Sequence, residues 1–237
     1  MRNGPTSVGV TDLGRMGYRA AYARQEEMVE RVVRSRDSAE PMLGHVLLVE
    51  HDPVVTVSRR PGASGNVVAS REVLALAGVE VEETDRGGDV TYHGPGQIVA
   101  YPIIDLNAAG LRLHEYMRLL EGVVIEVCAR FGVRGERDAS ATGVWVRRAG
   151  AAGGAERSAR KIAAMGVRVR RWVSMHGLAL NVTTNLQHFR LIVPCGLTGR
   201  EVTSLREELG ERCPSMEEVK GELVKVMREV VEARRES

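Results

Sequence analysis

Apolar and polar positions along this chain repeat with two different periods, and the changes of period mark its elements. Across residues 14–36, Met16, Tyr18, Ala21, Met28, Val29, Val32 and Val33 recur among charges at helical spacing, predicting an amphipathic helix. Pro41 and Gly44 end that region. His45-Val-Leu-Leu-Val-Glu-His and Val54-Val-Thr-Val then read as two strands around the turn signal Asp52-Pro53. Arg59-Arg60-Pro61-Gly62, with Ser64-Gly65-Asn66, has the composition of an exposed loop. Ser70 caps a short helix that runs to Ala77, with Glu72 in its first turn and Gly78 past its end. A short strand over 79–83 and a mostly apolar strand over 97–106 follow, the second interrupted by Pro102, which predicts an edge or a bulge.

The clearest helix covers roughly 111–131, where Leu113, Tyr116, Met117, Leu120, Val123, Val124, Val127, Cys128 and Phe131 form one stripe and Gly132 closes it. Cys128 belongs to that stripe and reads as a small core residue. A strand is expected at 142–146, a mobile surface loop at 147–160, and an alternating pair of strands at 161–171 and 175–182. Ser215 and Glu218 form a capping box that opens a last helix over 215–234. Two or three helices among many strands in irregular order predict an α+β fold, with a mixed, largely antiparallel sheet packed by helices. No repeat or linker divides residues 1–237, so a single catalytic domain is expected, with its motifs between about 40 and 210.

Composition changes this picture in two ways. A net charge of +2 argues against nucleic acid as the main partner, and no apolar run suggests a membrane span. The N-terminus lacks the apolar stretch of a signal peptide, and Cys128, Cys195 and Cys213 are too scattered for a disulfide framework, which makes a reducing cytoplasm the expectation. More pointedly, only three of the 33 basic residues are lysines: Lys161, Lys220 and Lys225. The last two lie in a charged helix, while Lys161 stands alone among arginines. Lysine, unlike arginine, gives up its proton when its surroundings lower the pKa, so Lys161 is a candidate for proton transfer. Arg168, Arg170 and Arg171 cluster as either a solvated strand face or a patch that meets an acidic protein.

The densest chemistry lies at 86–101, Arg-Gly-Gly-Asp-Val-Thr-Tyr-His-Gly-Pro-Gly-Gln-Ile-Val-Ala-Tyr. Gly-Pro-Gly alone makes a tight turn. A turn does not require Arg86, Asp89, Thr91, Tyr92, His93 and Gln97 together, and a glycine-rich loop feeding a strand is a common way to present binding groups. Cys195 sits in Leu191-Ile-Val-Pro-Cys-Gly-Leu, framed by Pro194 and Gly196. The residues alone leave it as either a buried thiol or a nucleophile activated by a nearby base or cation. Cys213 has no such frame. Among six histidines, His93 and His176 fall beside glycines in the segments already singled out, and none has the spacing of a zinc site. A Gly-x-Ser-x-Gly elbow and a Walker A loop are both absent.

Three segments together resemble the lipoyl(octanoyl) transferase family. They are Arg86-Gly-Gly-Asp-Val-Thr-Tyr-His-Gly-Pro-Gly-Gln, then Lys161-Ile-Ala-Ala-Met-Gly with Met175-His-Gly-Leu-Ala-Leu-Asn-Val, and last Pro194-Cys195-Gly196-Leu197. The resemblance implies a fold shared with the catalytic domains of biotin and lipoate ligases. It implies transfer of an octanoyl group from octanoyl-acyl carrier protein to a lysine of lipoyl domains, those of 2-oxoacid dehydrogenase E2 subunits and the glycine cleavage H protein, with no cofactor and no metal. By the same match Cys195 is the nucleophile and Lys161 its acid/base partner. Arg86, Gly87, Gly88, Asp89, Val90, Thr91, Tyr92 and His93, then Ala164, Met165 and Gly166, then Gly177, Leu178 and Ala179 correspond to the acyl-binding positions. Residues 147–160 depart from the pattern as an insertion. An ATP-dependent lipoate or biotin ligase and a non-catalytic module that binds acyl carrier protein are the alternatives. Burying seven methyl or methylene groups of an octanoyl chain would supply roughly 5–6 kcal/mol of gross driving force.

Overall fold

The computed structural model describes residues 8–147, 159–193 and 200–233. The expected insertion at 147–160 and the segment Pro194–Gly199, with Cys195, lie largely or wholly outside the described residues. Among those residues the chain runs through β1 (Val8–Met16), α1 (Tyr18–Ser35), β2 (Gly44–His51), β3 (Val54–Ser58), α2 (Arg71–Leu76), β4 (Glu80–Thr84), β5 (Val90–His93) and β6 (Gln97–Ile104). It continues with α3 (Leu113–Arg130), β7 (Gly135–Arg137), β8 (Val144–Val146), β9 (Arg160–Arg170), β10 (Val173–Asn181), α4 (Leu205–Leu209) and α5 (Met216–Ala233). A 3₁₀ turn at Leu186–Leu191 follows β10. Two sheets result. The larger has the order β1-β2-β6-β10-β9-β8-β7, antiparallel except for the β1–β2 pair, and the smaller has the order β4-β3-β5. This is the expected mixed α+β architecture, and no described helix is long and apolar enough to cross a membrane.

Period-two alternation on the central strands sorts side chains to the two faces of the large sheet. Val46, Leu48, Ile98, Ala100, Leu178 and Leu180 pack with α3 and α5. Leu47, Val49, Val99, Tyr101, Ile103 and Ala179 pack with Ala21, Met28, Val29 and Val32 of α1 on the opposite face. The small sheet has its own core of Val55, Val57, Val90 and Tyr92 with Leu74 and Phe189.

Two local expectations are corrected. Residues 14–16 belong to β1, not to the first helix, because Arg15 and Met16 pair in parallel with Glu50 and His51. Pro102 is not on an edge, since β6 lies between β2 and β10. Continuing the Leu178–Ala100 register by two residues sets Pro102 opposite His176, where the ladder is open until the Asp105–Val173 bridge. Proline has no N–H to offer there. Ser174 fills the gap: its Oγ accepts from Ile104 N at 2.9 Å and donates to Pro102 O at 2.7 Å. His176 adopts φ +58°, and its N–H donates to Gln25 Oε1 of α1 at 2.8 Å in place of a strand carbonyl.

The Gln25–His176 bond is therefore expected to hold α1 on the break in β10. A Gln25→Met variant keeps side-chain length and leaves the buried His176 N–H without an acceptor. It is predicted to lose about 1–2 kcal/mol, read as a lower urea midpoint at unchanged slope. An unchanged midpoint would show that the bond contributes no more than is gained by removing the buried, unpartnered Gln25 Nε2.

Candidate active site

A groove of about 440 Å³ opens at the seam between the two sheets. Its back is made by β9 and β10, where Ala164 pairs with Ala179 and Gly166 pairs with Gly177. These four small residues share one face, so the sheet surface is shallow just where the small sheet approaches it. Approach is close: Gly87 N donates to Val167 O at 3.0 Å, and a Cβ on Gly166 would stand 2.6 Å from Gly87 O. Met165 and Leu178, which alternate with the small residues and pair with each other, pack on the α3 side of the sheet and also line the groove, beside Leu113 and Met117 of α3.

Strand alternation also divides the predicted 86–93 stretch. Arg86, Gly87, Gly88, Thr91 and His93 line the groove. Val90 and Tyr92, on the other face of β5, belong to the core of the small sheet, and the Tyr92 hydroxyl lies 2.7 Å from His188 Nδ1. Asp89 does not line the groove; it faces Arg60 at 3.4 Å, and its carbonyl accepts from Ser58 N. Arg86 is drawn inward, donating to Thr56 Oγ1, Thr56 O and Gly87 O at 2.8–3.2 Å. It ties the loop to β3 and brings positive charge to the groove wall.

The floor is polar and buried. Tyr18, His93, Tyr101 and His176 line it, and His51 stands behind, with its ring 5.6 Å from that of His93. Each imidazole has a defined partner. His51 Nδ1 donates to Met16 O at 3.1 Å, so Nε2 accepts from the Tyr101 hydroxyl at 2.6 Å. Gln97 Nε2 donates to Tyr92 O and Asn181 Oδ1, which leaves Gln97 Oε1 to accept from His93 Nδ1 at 2.7 Å. The lone pair of His93 is then on Nε2. His176 Nε2 donates to Asp85 Oδ1 at 2.9 Å. Burial pushes His51 down to about 4, and burial with the charges of Arg86 and Arg168 pushes His176 down to about 3. The Asp85 contact does not reverse this, because Arg168 already pairs with that carboxylate. His93 is held well below its ordinary value by burial and by His51. All three are neutral at pH 7.

Lys161 lines the groove near its other end and is 9% exposed. Its Nζ stands 4.7 Å from the centre of the Trp145 ring, and the Arg200 guanidinium lies 4.8 Å from the same ring. The backbone of Lys161 is held by the chain that follows the Cys195 segment: Lys161 N donates to Glu201 O and Thr203 N donates to Lys161 O, both at 2.9 Å. Gly143, at φ +129°, leaves the space that the lysine stem uses, since a Cβ there would meet Lys161 Cε at 3.2 Å. A polar chain joins the two ends of the groove, from His93 through Gln97 and Asn181 to the carbonyl of Thr203.

Sequence reasoning did not single out Tyr18, Arg60, Trp145, Asn181 or Arg200 as functional. Tyr18 is one apolar-stripe residue among several, Arg60, Trp145 and Arg200 stand in loops and strands outside the motif segments, and Asn181 lies within the Met175-His-Gly-Leu-Ala-Leu-Asn-Val segment without a role assigned to it. Only their distance from Arg86 or Lys161 in space marks them. Of the arginine cluster, Arg168 pairs with Asp85 and Arg171 with Glu30, so much of that charge is met within the fold.

The same architecture is found in enzymes that attach lipoate or biotin to proteins. The chain superposes on a bipartite lipoate protein ligase from Thermoplasma acidophilum with a TM-score of 0.65, at 15% identity, over 97% of this chain and 84% of the other. It superposes on the biotin protein ligase of Aquifex aeolicus at 0.55, with 12% identity, over 97% and 71%. At these identities the likeness establishes the fold of a protein-ligase catalytic domain. Residues 17–228 match the model of the lipoyl protein ligase A/B catalytic domain, and the chain belongs to that family. Within it the chain is 45% identical to an octanoyltransferase of Bacteroides fragilis over 213 residues, 90% of this chain and 93% of the relative. It is 46% identical to an octanoyltransferase of Acidobacterium capsulatum over 216 residues, 87% and 83% respectively.

The neutral histidines make a prediction about pH. Their folded values lie below the unfolded value of 6.5, so the unfolded chain binds more protons between the two. Their stabilising effect is complete above pH 6.5 and is lost as the pH falls from there toward 4. Each contributes a slope of up to about 1.4 kcal/mol per pH unit in that window. Urea unfolding at pH 7.5, 6 and 5 checks this, and a flat midpoint down to pH 5 would contradict it.

Proposed function

We propose that this acyltransferase moves an octanoyl group from octanoyl-acyl carrier protein to a lysine of lipoyl domains, through a thioester on Cys195 with Lys161 as acid/base. The acceptors in this reading are lipoyl domains of 2-oxoacid dehydrogenase E2 subunits and of the glycine cleavage H protein. The carrying observation is the placement of a buried lysine on the wall of a groove built from small residues, next to the return of the Cys195 segment. Val193 N donates to Asn66 O at 2.7 Å on one side of that segment, and Glu201 to Thr203 pair with Lys161 on the other. Seven Cα–Cα steps from Val193 to Arg200 span at most about 25 Å. Cys195 stands six positions before Glu201 in the sequence, and the Glu201 carbonyl accepts from Lys161 N.

The chemistry divides into two half-reactions. The Cys195 thiolate attacks the thioester carbonyl of the donor, the carbon–sulfur bond to the carrier breaks, and the departing thiolate takes a proton from the Lys161 ammonium. An acceptor amine then attacks the Cys195 thioester. The second carbon–sulfur bond breaks, an amide forms, and the amine proton passes by way of Lys161 to the sulfur. One thioester is exchanged for another in the first step, so no nucleotide is required. Lys161 is 9% exposed, and a lysine serves in proton transfer where its surroundings lower its pKa. The small-residue back of the groove suits a straight saturated chain.

Intact-mass measurement after incubation with octanoyl-acyl carrier protein tests the nucleophile. The wild type is expected to gain one octanoyl group and Cys195→Ala none; an equal adduct on the variant would sink the assignment. Lys161→Arg keeps the charge but offers a group that does not give up its proton near neutral pH. Its turnover is expected to fall by about 10²-fold or more, and normal turnover would remove Lys161 from proton transfer.

A further inference from the structure

Exposure along the groove shows where it opens. Arg60, Leu113, Ser140 and Thr142 are exposed lining residues, whereas Tyr18, His93, Tyr101 and His176 are buried at the floor. The mouth is therefore formed by the loop after β3, the first turn of α3 and the 140–142 loop. Among the described residues, Arg60, Arg86 and Lys161 are the cations that line the groove. Arg86 is turned inward onto Thr56 and Gly87, and Lys161 is buried. Arg60 differs from both: its side chain is 67% exposed and its contact with Asp89 is long, at 3.4 Å. An exposed pair of that geometry contributes little and is readily exchanged for another anion. The neighbouring Arg59 points elsewhere, to Glu83 at 2.8 Å.

An acyl donor must enter this mouth with its acyl chain leading and its carrier trailing. The geometry points to Arg60 as the residue that binds the phosphate of the donor's thiol arm, with Leu113, 50% exposed, against the arm's apolar portion. This rests on the acyltransferase reading above and adds to it a residue that selects the donor. A guanidinium offers paired N–H groups in one plane, matched to two phosphate oxygens. Its weak contact with Asp89 would be given up to that anion. The ligand class is a phosphopantetheine thioester, whether its phosphate belongs to a carrier protein or to coenzyme A.

The test follows acylation of the whole 237-residue chain by intact mass against donor concentration. Octanoyl-pantetheine is compared with octanoyl-phosphopantetheine, then octanoyl-coenzyme A with octanoyl-acyl carrier protein as the two sources. Wild type is expected to prefer the phosphorylated arm. Arg60→Ala is expected to cut that preference about tenfold through the half-saturating concentration, with the maximal rate retained, and Arg60→Lys to recover part of it. A preference that stays within about twofold of wild type in Arg60→Ala overturns the proposal, as does an equal loss with both pantetheine donors. A loss confined to the carrier-protein donor also overturns it, because Arg60 would then be reading the protein's surface. If wild type accepts no octanoyl group from any donor, the acyltransfer mechanism itself fails, which is a distinct result from acylation with undiminished preference.

Discussion

The groove exists because two backbones touch where neither carries a side chain. Gly87 N donates to Val167 O, and Gly166 leaves 2.6 Å between its absent Cβ and Gly87 O. A methyl group at that point would wedge the small sheet off the large one. Arg86 secures the other side of the seam through Thr56 of β3. Everything that defines the site is measured from this contact: the shallow back of Ala164, Gly166, Gly177 and Ala179, the polar floor, and the mouth marked by Arg60 and Leu113.

The floor shows how such a seam accommodates polar groups without charge. His51, His93 and His176 are buried, each has a definite acceptor for its N–H, and burial keeps each neutral. Satisfied in this way, the rings cost little to bury and leave the lone pair of His93 Nε2 as a fixed feature of the groove. The break in β10 belongs to the same arrangement. Gln25 and Ser174 replace strand partners at His176 and Pro102, so the sheet bends open without leaving those backbone groups unpaired.

Lys161 occupies the other end, with its backbone paired to the chain after the Cys195 segment and its Nζ over the Trp145 ring. Glu201 and Thr203 bracket its peptide groups, and the Gln97–Asn181 bridge reaches the carbonyl of Thr203. Lys161, the polar floor of the groove and the stretch from Glu201 to Thr203 are therefore joined by hydrogen bonds.

Much of this was legible in the linear chain. The stripes of α1, α3 and α5, the strand pair around Gly166 and Gly177, the Ser215–Glu218 cap and the lone lysine at 161 are all local patterns, set by near-neighbour chemistry. The three motif segments and their order identified the family for the same reason. What the chain could not reveal is which side each residue of a motif faces, because that depends on pairing with strands far away. Thr91 and His93 turn to the groove while Val90 and Tyr92 turn to the core of the small sheet, although all four lie in one continuous motif. Met16 joined β1 and not the helix stripe because β2 offered it a parallel partner. Tyr18, Arg60, Trp145 and Arg200 carry no local signal at all. The sequence by itself determined the elements and the chemistry they could carry; only the register of two sheets across a glycine contact decided which of those groups meet.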